Sequence, residues 1–557
     1  MRAASVIALS VAALCLCVAT AYGAGGQAAP RTVFIGQFLT FDPSQSRAEA
    51  LEVDRGRIVR IGAAAEVLSS APPGTRQVRL PGVALPGLAD AHIHVEAIGE
   101  QLEKLNLQGL DKSAVLHAVA AAAQRAPPGR WLEGGGWDEG FWHGAGFPSA
   151  SELDAVSHGH PIVLDRIDGH STWVNSRVLS AAGIDRHTPD PAGGAIRHDA
   201  AGEPTGILVD NAQELLAPVR PRPTRADRTR RIQRALAQIS RWGLTSVHDA
   251  EVDGETVAIY RALLARGALT ARVYTMLAGE NARRQAIVDG PMPDLGDGLL
   301  AVRSFKLFLD GALGSRGAEL TDPYSDAPNE HGLERMSDAE LDQVIHLGLE
   351  HGFQVNVHAI GDRAVHRVLD AFERAGVGPA QRFRIEHASM VRDEDLPRFA
   401  RLGVIASMQP VFVGEYSRWA EARVGPERVH WVLRTRDLLA SGAIVAAGSD
   451  FPSSDSGDPR ATLVGLVSRQ SAAGSPPGGW YPGQAVPLAQ ALPLLWATPA
   501  YAAFEEQSLG ALTVGRYADF TVLDRDPRST PTERLRALKV LATVVGGRIV
   551  FRRTDSR

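Results

Sequence analysis

Cysteine is nearly missing from this chain. There are two in 557 residues, Cys15 and Cys17, both inside the first apolar stretch. The remainder can form no disulfide framework, and any metal it binds must be held by nitrogen and oxygen rather than thiolate. A strong excess of either charge is missing too: a formal net charge of -5 gives no reason to expect nucleic acid or an anionic membrane as partner. No internal repeat or low-complexity segment is present, which excludes a repeat architecture. The glycine-bearing run Asp310-Gly311-Ala-Leu-Gly-Ser315-Arg316 lacks a Gly-Lys-Ser/Thr ending, so it is not read as a phosphate loop.

What is present suits a large globular enzyme. Hydrophobic residues make up 45% of the chain, enough for an ample core, and the length exceeds one ordinary domain. Residues 1–23 read as a signal peptide. Arg2 opens a weakly basic start, Ala3 to Ala19 is almost wholly apolar, and Ala19-Thr20-Ala21 or Ala21-Tyr22-Gly23 offers small residues for cleavage. The run is short for a bilayer span, which weighs against an uncleaved anchor. With 24–30 as linker, the expected location is periplasmic or secreted, with no membrane attachment after cleavage.

Short β-rich pieces lie at both ends of the chain, in 31–85 and 501–557, the last two joined by Gly546-Gly547. They are expected to complete one another as a small β-sandwich. Between them, 86–500 alternates buried strands with helical patterns, as parallel βα units do. The expected strands are Leu88–His94, Thr245–Asp249, Arg272–Leu277, Arg303–Leu309, Gln354–His358, Phe383–His387, Val404–Met408 and Ile444–Ser449. Eight strands close a TIM-type (β/α)8 barrel in the α/β class. The gap after the first strand is too long for one crossover, so about 97–230 is expected to be an insertion. Helices are expected at Ser113–Arg125, Arg225–Arg241, Asp362–Ala375, Asp393–Leu402 and Thr435–Ser441; the arginines of Arg225–Arg241 read as a solvated face.

In such a barrel the strands' C-terminal ends carry the chemistry. The first ends in Leu88-Ala-Asp-Ala-His92-Ile-His94, where alternation puts both imidazoles on one face. The fourth carries Lys306, the fifth His358, the sixth His387 and the eighth Asp450. Singly, His358 and His387 could be core histidines and Asp450 a loop cap. Lys306 is harder to explain, because an ammonium in an apolar strand needs a charge partner or a modification. Such an all-nitrogen and oxygen set favours zinc, with manganese, iron and nickel as alternatives. In the insertion, Trp137, Asp138, Trp142, Arg166, Asp168 and His170 suit a pocket wall, with core packing as the other reading of the tryptophans. Arg316 on the glycine-bearing loop is a second wall candidate, and His248 could also reach the mouth.

Eight motifs occur in order: Pro86-Gly-Leu-Ala-Asp-Ala-His-Ile-His94, Gly135-Gly-Trp-Asp138, Asp168-Gly-His170, Gly202-Glu-Pro-Thr-Gly206, Lys306-Leu-Phe-Leu-Asp-Gly311, Val357-His-Ala-Ile-Gly-Asp362, Ile385-Glu-His387 and Gly448-Ser-Asp450. With these, residues 31 to 553 resemble the amidohydrolase superfamily, in the amidohydrolase-3 branch that includes YtcJ-like proteins and N-substituted formamide deformylase. The resemblance implies one or two divalent metals, one on His92, His94 and Asp450 and a second on His358 and His387. Lys306 would bridge them as a carbamate derived from carbon dioxide. Asp450 would act as the acid–base group, and an imidazole such as His387 or His170 would assist at the reacting carbonyl. The expected activity is hydrolysis of a non-peptide carbon–nitrogen bond in a small molecule. A lactone or ester hydrolase, and an exported metal- or ligand-binding protein without catalysis, are the alternatives. Barrels of this type are often dimers, so a homodimer is a further expectation.

Overall fold

The computed structural model describes residues 31–137, 139, 142, 147–166, 171–191 and 194–554. The expected signal peptide and linker therefore lie outside the described residues, as do Asp138, Asp168 and His170. Among the described residues no helix is long and apolar enough to cross a membrane. Two compact units emerge: one runs up to Val95 and resumes at Leu236, and the other is Glu96–Ala235.

In the first unit the two chain ends build one seven-stranded sheet. The N-terminal part supplies β1 (Thr32–Leu39), β2 (Arg47–Asp54), β3 (Arg57–Gly62) and β4 (Arg76–Pro86). A short step leads into β5 (Leu88–Ile93), which belongs to the barrel. The second unit holds β6 (Leu105–Asn106), β7 (Leu132–Trp137), β8 (Ile162–Arg166), β9 (Ser171–Val174), β10 (Gly194–His198) and β11 (Pro204–Asp210). The barrel resumes with β12 (Leu244–Val252), β13 (Arg272–Leu277), β14 (Met292–Leu295), β15 (Leu300–Phe308), β16 (Gln354–Ala359), β17 (Arg384–His387), β18 (Ile405–Met408) and β19 (Ile444–Ala447). Finally β20 (Phe520–Leu523), β21 (Val540–Val545) and β22 (Arg548–Arg552) return to the terminal sheet, whose order is β22-β21-β20-β4-β1-β2-β3. Phe34 and Phe38 pack edge-on against Phe520, tying the two chain ends together.

The barrel strands run β5, β12, β13, β15, β16, β17, β18, β19, each parallel to the next. All eight expected strands are present. The extra piece β14, which pairs antiparallel with β15, is only four residues long and contains a proline, so it shows no strand pattern. The seam between β19 and β5 is closed at its upper end. Asp450 N–H donates to His92 O at 2.7 Å, and His94 N–H donates to Phe451 O at 3.1 Å. Gly448 is required there, since a Cβ would stand 2.5 Å from His92 N. Helices pad the barrel as their apolar spacing directs: Asp362–Arg374 buries Val365, Val368, Leu369 and Phe372. The helix expected at Asp393 begins at Leu396 instead. Asp395 is held back by His366 and Arg398, and Pro397 fits the first turn, where no N–H donor is needed.

The second unit carries a six-stranded sheet, β10-β11-β9-β8-β7-β6. On the Arg225–Trp242 helix, Arg225, Arg234 and Arg241 are exposed, as a solvated face requires, while Arg228 pairs with Glu96 and Arg230 with Glu103.

At the lower end of the barrel, Arg272 of β13 is gripped by Asp519 beside β20, with contacts of 2.7 and 3.0 Å and both side chains buried. Replacing one member leaves an uncompensated charge in the interior. Asp519→Ala is expected to cost about 3–5 kcal/mol in denaturant unfolding; a loss below ~1 kcal/mol would show that this pair does not clamp barrel and sheet.

Candidate metal centre

The upper ends of β5, β15, β16, β17 and β19 converge. His92 and His94 project together from β5 by strand alternation. Asp450, just past β19, is delivered to them by the seam. His94 Nε2 lies 3.0 Å from Asp450 Oδ1, and His92 Nε2 lies 3.5 Å from the same oxygen. One ligating atom from each of the three falls within a 4.8 Å cluster. Lys306 Nζ, from β15, stands 3.3 Å from His92 Nε2. The His387 ring centroid is 4.8 Å from that of His92 and 4.5 Å from that of His358. The structure thus brings together all six residues expected to bind metal.

Electrostatics prepare these groups for a cation. Burial pushes the His92 and His387 imidazoles well below the usual histidine range, and the Lys306 charge adds to the effect. Burial takes His358 down to about 3. All three are therefore neutral near pH 7, each with a lone pair to give. His358 Nε2 is buried and makes no hydrogen bond, although Asp310 Oδ1 lies 3.4 Å away. His94 differs: burial opposes its charge, but the hydrogen bond and charge of Asp450 outweigh burial and raise its pKa. Burial also lowers Lys306 to about 8, and it forms no ion pair among the described residues. Neutral imidazoles, an orphaned ring nitrogen and one carboxylate are a donor set that fits a divalent cation.

The backbone supports this placement at some cost. Asp450 (φ 59°), His387 (φ 74°) and Ala388 (φ 41°) all adopt left-handed conformations that side chains disfavour. Non-glycine residues held this way cluster at functional sites.

The other described candidates are committed to partners of their own. Trp137 is fully enclosed in the core of the second unit, stacked on Trp142 and edge-on to Trp173, with its Nε1–H donated to Leu164 O. It packs as core and lines no surface. Arg166 pairs with Glu139 at 2.8 Å, and Arg316 with Asp326 at 3.1 Å. His248 sits inside the barrel with Nδ1 2.9 Å from Arg384 Nη1. A second histidine–carboxylate group, His366 with Glu394 and Asp395, is neutralised by Arg392 and Arg398, so it is an ion-pair network.

Three functional neighbours escaped the sequence reading. Glu386 Oε2 meets His92 Nδ1 at 2.5 Å, Arg384 pairs with Glu386 at 2.7 Å, and Gln409 Oε1 meets His387 Nδ1 at 2.8 Å. Arg384 and Glu386 were detectable on the same ground as Lys306, as charges inside an apolar strand. Gln409, one residue past β18, left no signal.

Residues 82–551 match the model of the amidohydrolase family. YtcJ of Bacillus subtilis (strain 168), named as an amidohydrolase, is 31% identical over 94% of this chain and 100% of its own length. The N-substituted formamide deformylase of Arthrobacter pascens is 29% identical, covering 93% of this chain and 97% of its own. Among solved structures, a metal-dependent hydrolase of uncharacterised activity from Pyrococcus horikoshii aligns with a TM-score of 0.75 at 27% identity, over 90% of this chain and 99% of that one.

A cation that binds only the folded state must stabilise it. Chelator-stripped protein given zinc at a hundredfold excess over the dissociation constant is expected to gain about 2.7 kcal/mol against unfolding. An unchanged melting temperature with zinc, manganese, iron and nickel in turn would contradict the assignment.

Proposed function

Because the chain belongs to the amidohydrolase family, whose structural relatives include metal-dependent hydrolases, we propose that it hydrolyses a non-peptide carbon–nitrogen bond. An N-acyl, N-formyl or cyclic amide is the substrate class, and the similarity to the N-substituted formamide deformylase of Arthrobacter pascens supports the formamide member of it. The observation that carries this reading is the joint approach of His92, His94 and Asp450 within 4.8 Å at the barrel mouth.

His92, His94 and Asp450 would hold one divalent ion, and His358 and His387 a second. Zinc suits this nitrogen and oxygen set. A metal there supplies Lewis acidity, which makes water acidic enough to attack at neutral pH and polarises a carbonyl. Lys306 would bridge as a carbamate, since its lowered basicity leaves free amine to combine with carbon dioxide. The product is an anion among imidazoles, which suits the pocket better than a buried ammonium.

The remaining steps belong to the protein. Asp450, kept in place by the His92 carbonyl and by His94, takes the proton of the attacking water and returns it to the departing nitrogen. His387, with Nδ1 held by Gln409, would serve as a ligand of the second ion, and the assisting role expected of His170 falls outside the described residues. The apolar run Ala3 to Ala19 supports export, and scavenging of external small molecules follows from that location.

Asp450→Asn is expected to lower turnover by about 10²–10⁴-fold, the usual contribution of a positioned acid–base group, with metal content retained as measured by elemental analysis. Turnover near the wild-type level would refute the role. On matched amide and ester analogues, chelator-sensitive cleavage of the amide is expected; cleavage of the ester alone would reassign the enzyme to esters or lactones.

A further inference from the structure

Behind the two imidazole groups the barrel interior is built unequally. His92 Nδ1 faces Glu386, a carboxylate without solvent exposure. Glu386 is bound by Arg384, through Nε at 2.7 Å and Nη2 at 3.1 Å. Arg384 is itself fixed by His248, the Ala91 carbonyl and Ser407 Oγ. A guanidinium does not lose its proton in a protein, so Glu386 is held as an anion that can only accept. The proton of His92 therefore sits on Nδ1, and the Nε2 lone pair points at Lys306 and Asp450.

His387 has the same tautomer for a different reason. The Gln409 amide donates Nε2–H to Ser407 O at 3.1 Å, which turns its oxygen toward His387 Nδ1 at 2.8 Å. Nε2 of His387 is free to ligate, but its backing acceptor is a neutral amide.

We propose that Glu386 and Gln409 are positioning residues that grade the centre: the carboxylate makes the His92 position the strong one, and the amide makes the His387 position the weak, exchangeable one. An anionic acceptor draws on the Nδ1 proton and enriches the opposite nitrogen, whereas a neutral oxygen does so far less. The inference rests on the metal reading of the site given above. Its consequence is a chain that works with one firmly held ion and a second that follows the metal supply.

The test uses the full chain, stripped with a chelator and titrated with zinc against a chromophoric competitor. The wild type is expected to take up zinc in two unequal steps, or in one. Glu386→Gln weakens the tight step by about 10–100-fold, the usual effect of losing an orienting partner. Since that variant leaves Arg384 buried without its anion, Gln409→Glu carries the test if Glu386→Gln does not fold. It keeps the Arg384–Glu386 pair and tightens the weak step, or creates a second step where there was one. A purely structural Gln409 would give no gain in affinity. Two equal steps in the wild type, or an unaltered second step in Gln409→Glu, would overturn the grading while leaving the metal reading intact. A wild type that binds no zinc would instead overturn the metal reading itself.

Discussion

The site depends on the seam where β19 meets β5. A backbone hydrogen bond of 2.7 Å from Asp450 to His92 both closes the barrel and places the carboxylate against the histidine pair. Gly448 allows the two strands to approach so closely. The left-handed turn at Asp450 then aims its side chain back over the mouth. Barrel closure and site assembly are therefore one event, and any change that loosens the seam moves the acid–base group away from its partners.

A second constraint is electrostatic. The barrel mouth gathers three neutral imidazoles and a lysine, with one acceptor carboxylate facing them and another behind. Burial favours neutral forms of the histidines and leaves His358 Nε2 without a donor, an arrangement that costs stability unless something positive fills it. The interior below is ordered to match: Arg384 and Glu386 form a buried ion pair, and the carboxylate also faces His92 Nδ1 and orients that ring. Farther down, Arg272 and Asp519 repeat the device to fasten the terminal sheet. Polar pairs thus occur at both ends of the barrel, and apolar packing fills the spaces around them.

Much of this was legible in the sequence, for physical reasons. Barrel strands buried on both faces read as apolar runs, so all eight could be placed, and ligand residues at their ends stood out as interruptions. Lys306 was the clearest case. The partners of those ligands were harder to find. Glu386 was hidden next to His387 in a motif already accounted for, and Gln409 acts through a single amide that no pattern marks. Trp137 shows the limit of pattern: pocket wall and core packing were both open readings of it, and Trp142 and Trp173 pack against it as core. Sequence pattern tells burial from exposure along an element, but it does not tell a pocket lining from a core when both are aromatic.

The central claim is that the upper ends of β5, β16, β17 and β19 hold divalent metal. Anomalous diffraction from zinc-soaked crystals, recorded on both sides of the zinc absorption edge, tests it most directly. A peak between His92, His94 and Asp450 is predicted, with a weaker one beside His358 and His387. Peaks only at surface residues, or none at the barrel mouth, would contradict the account.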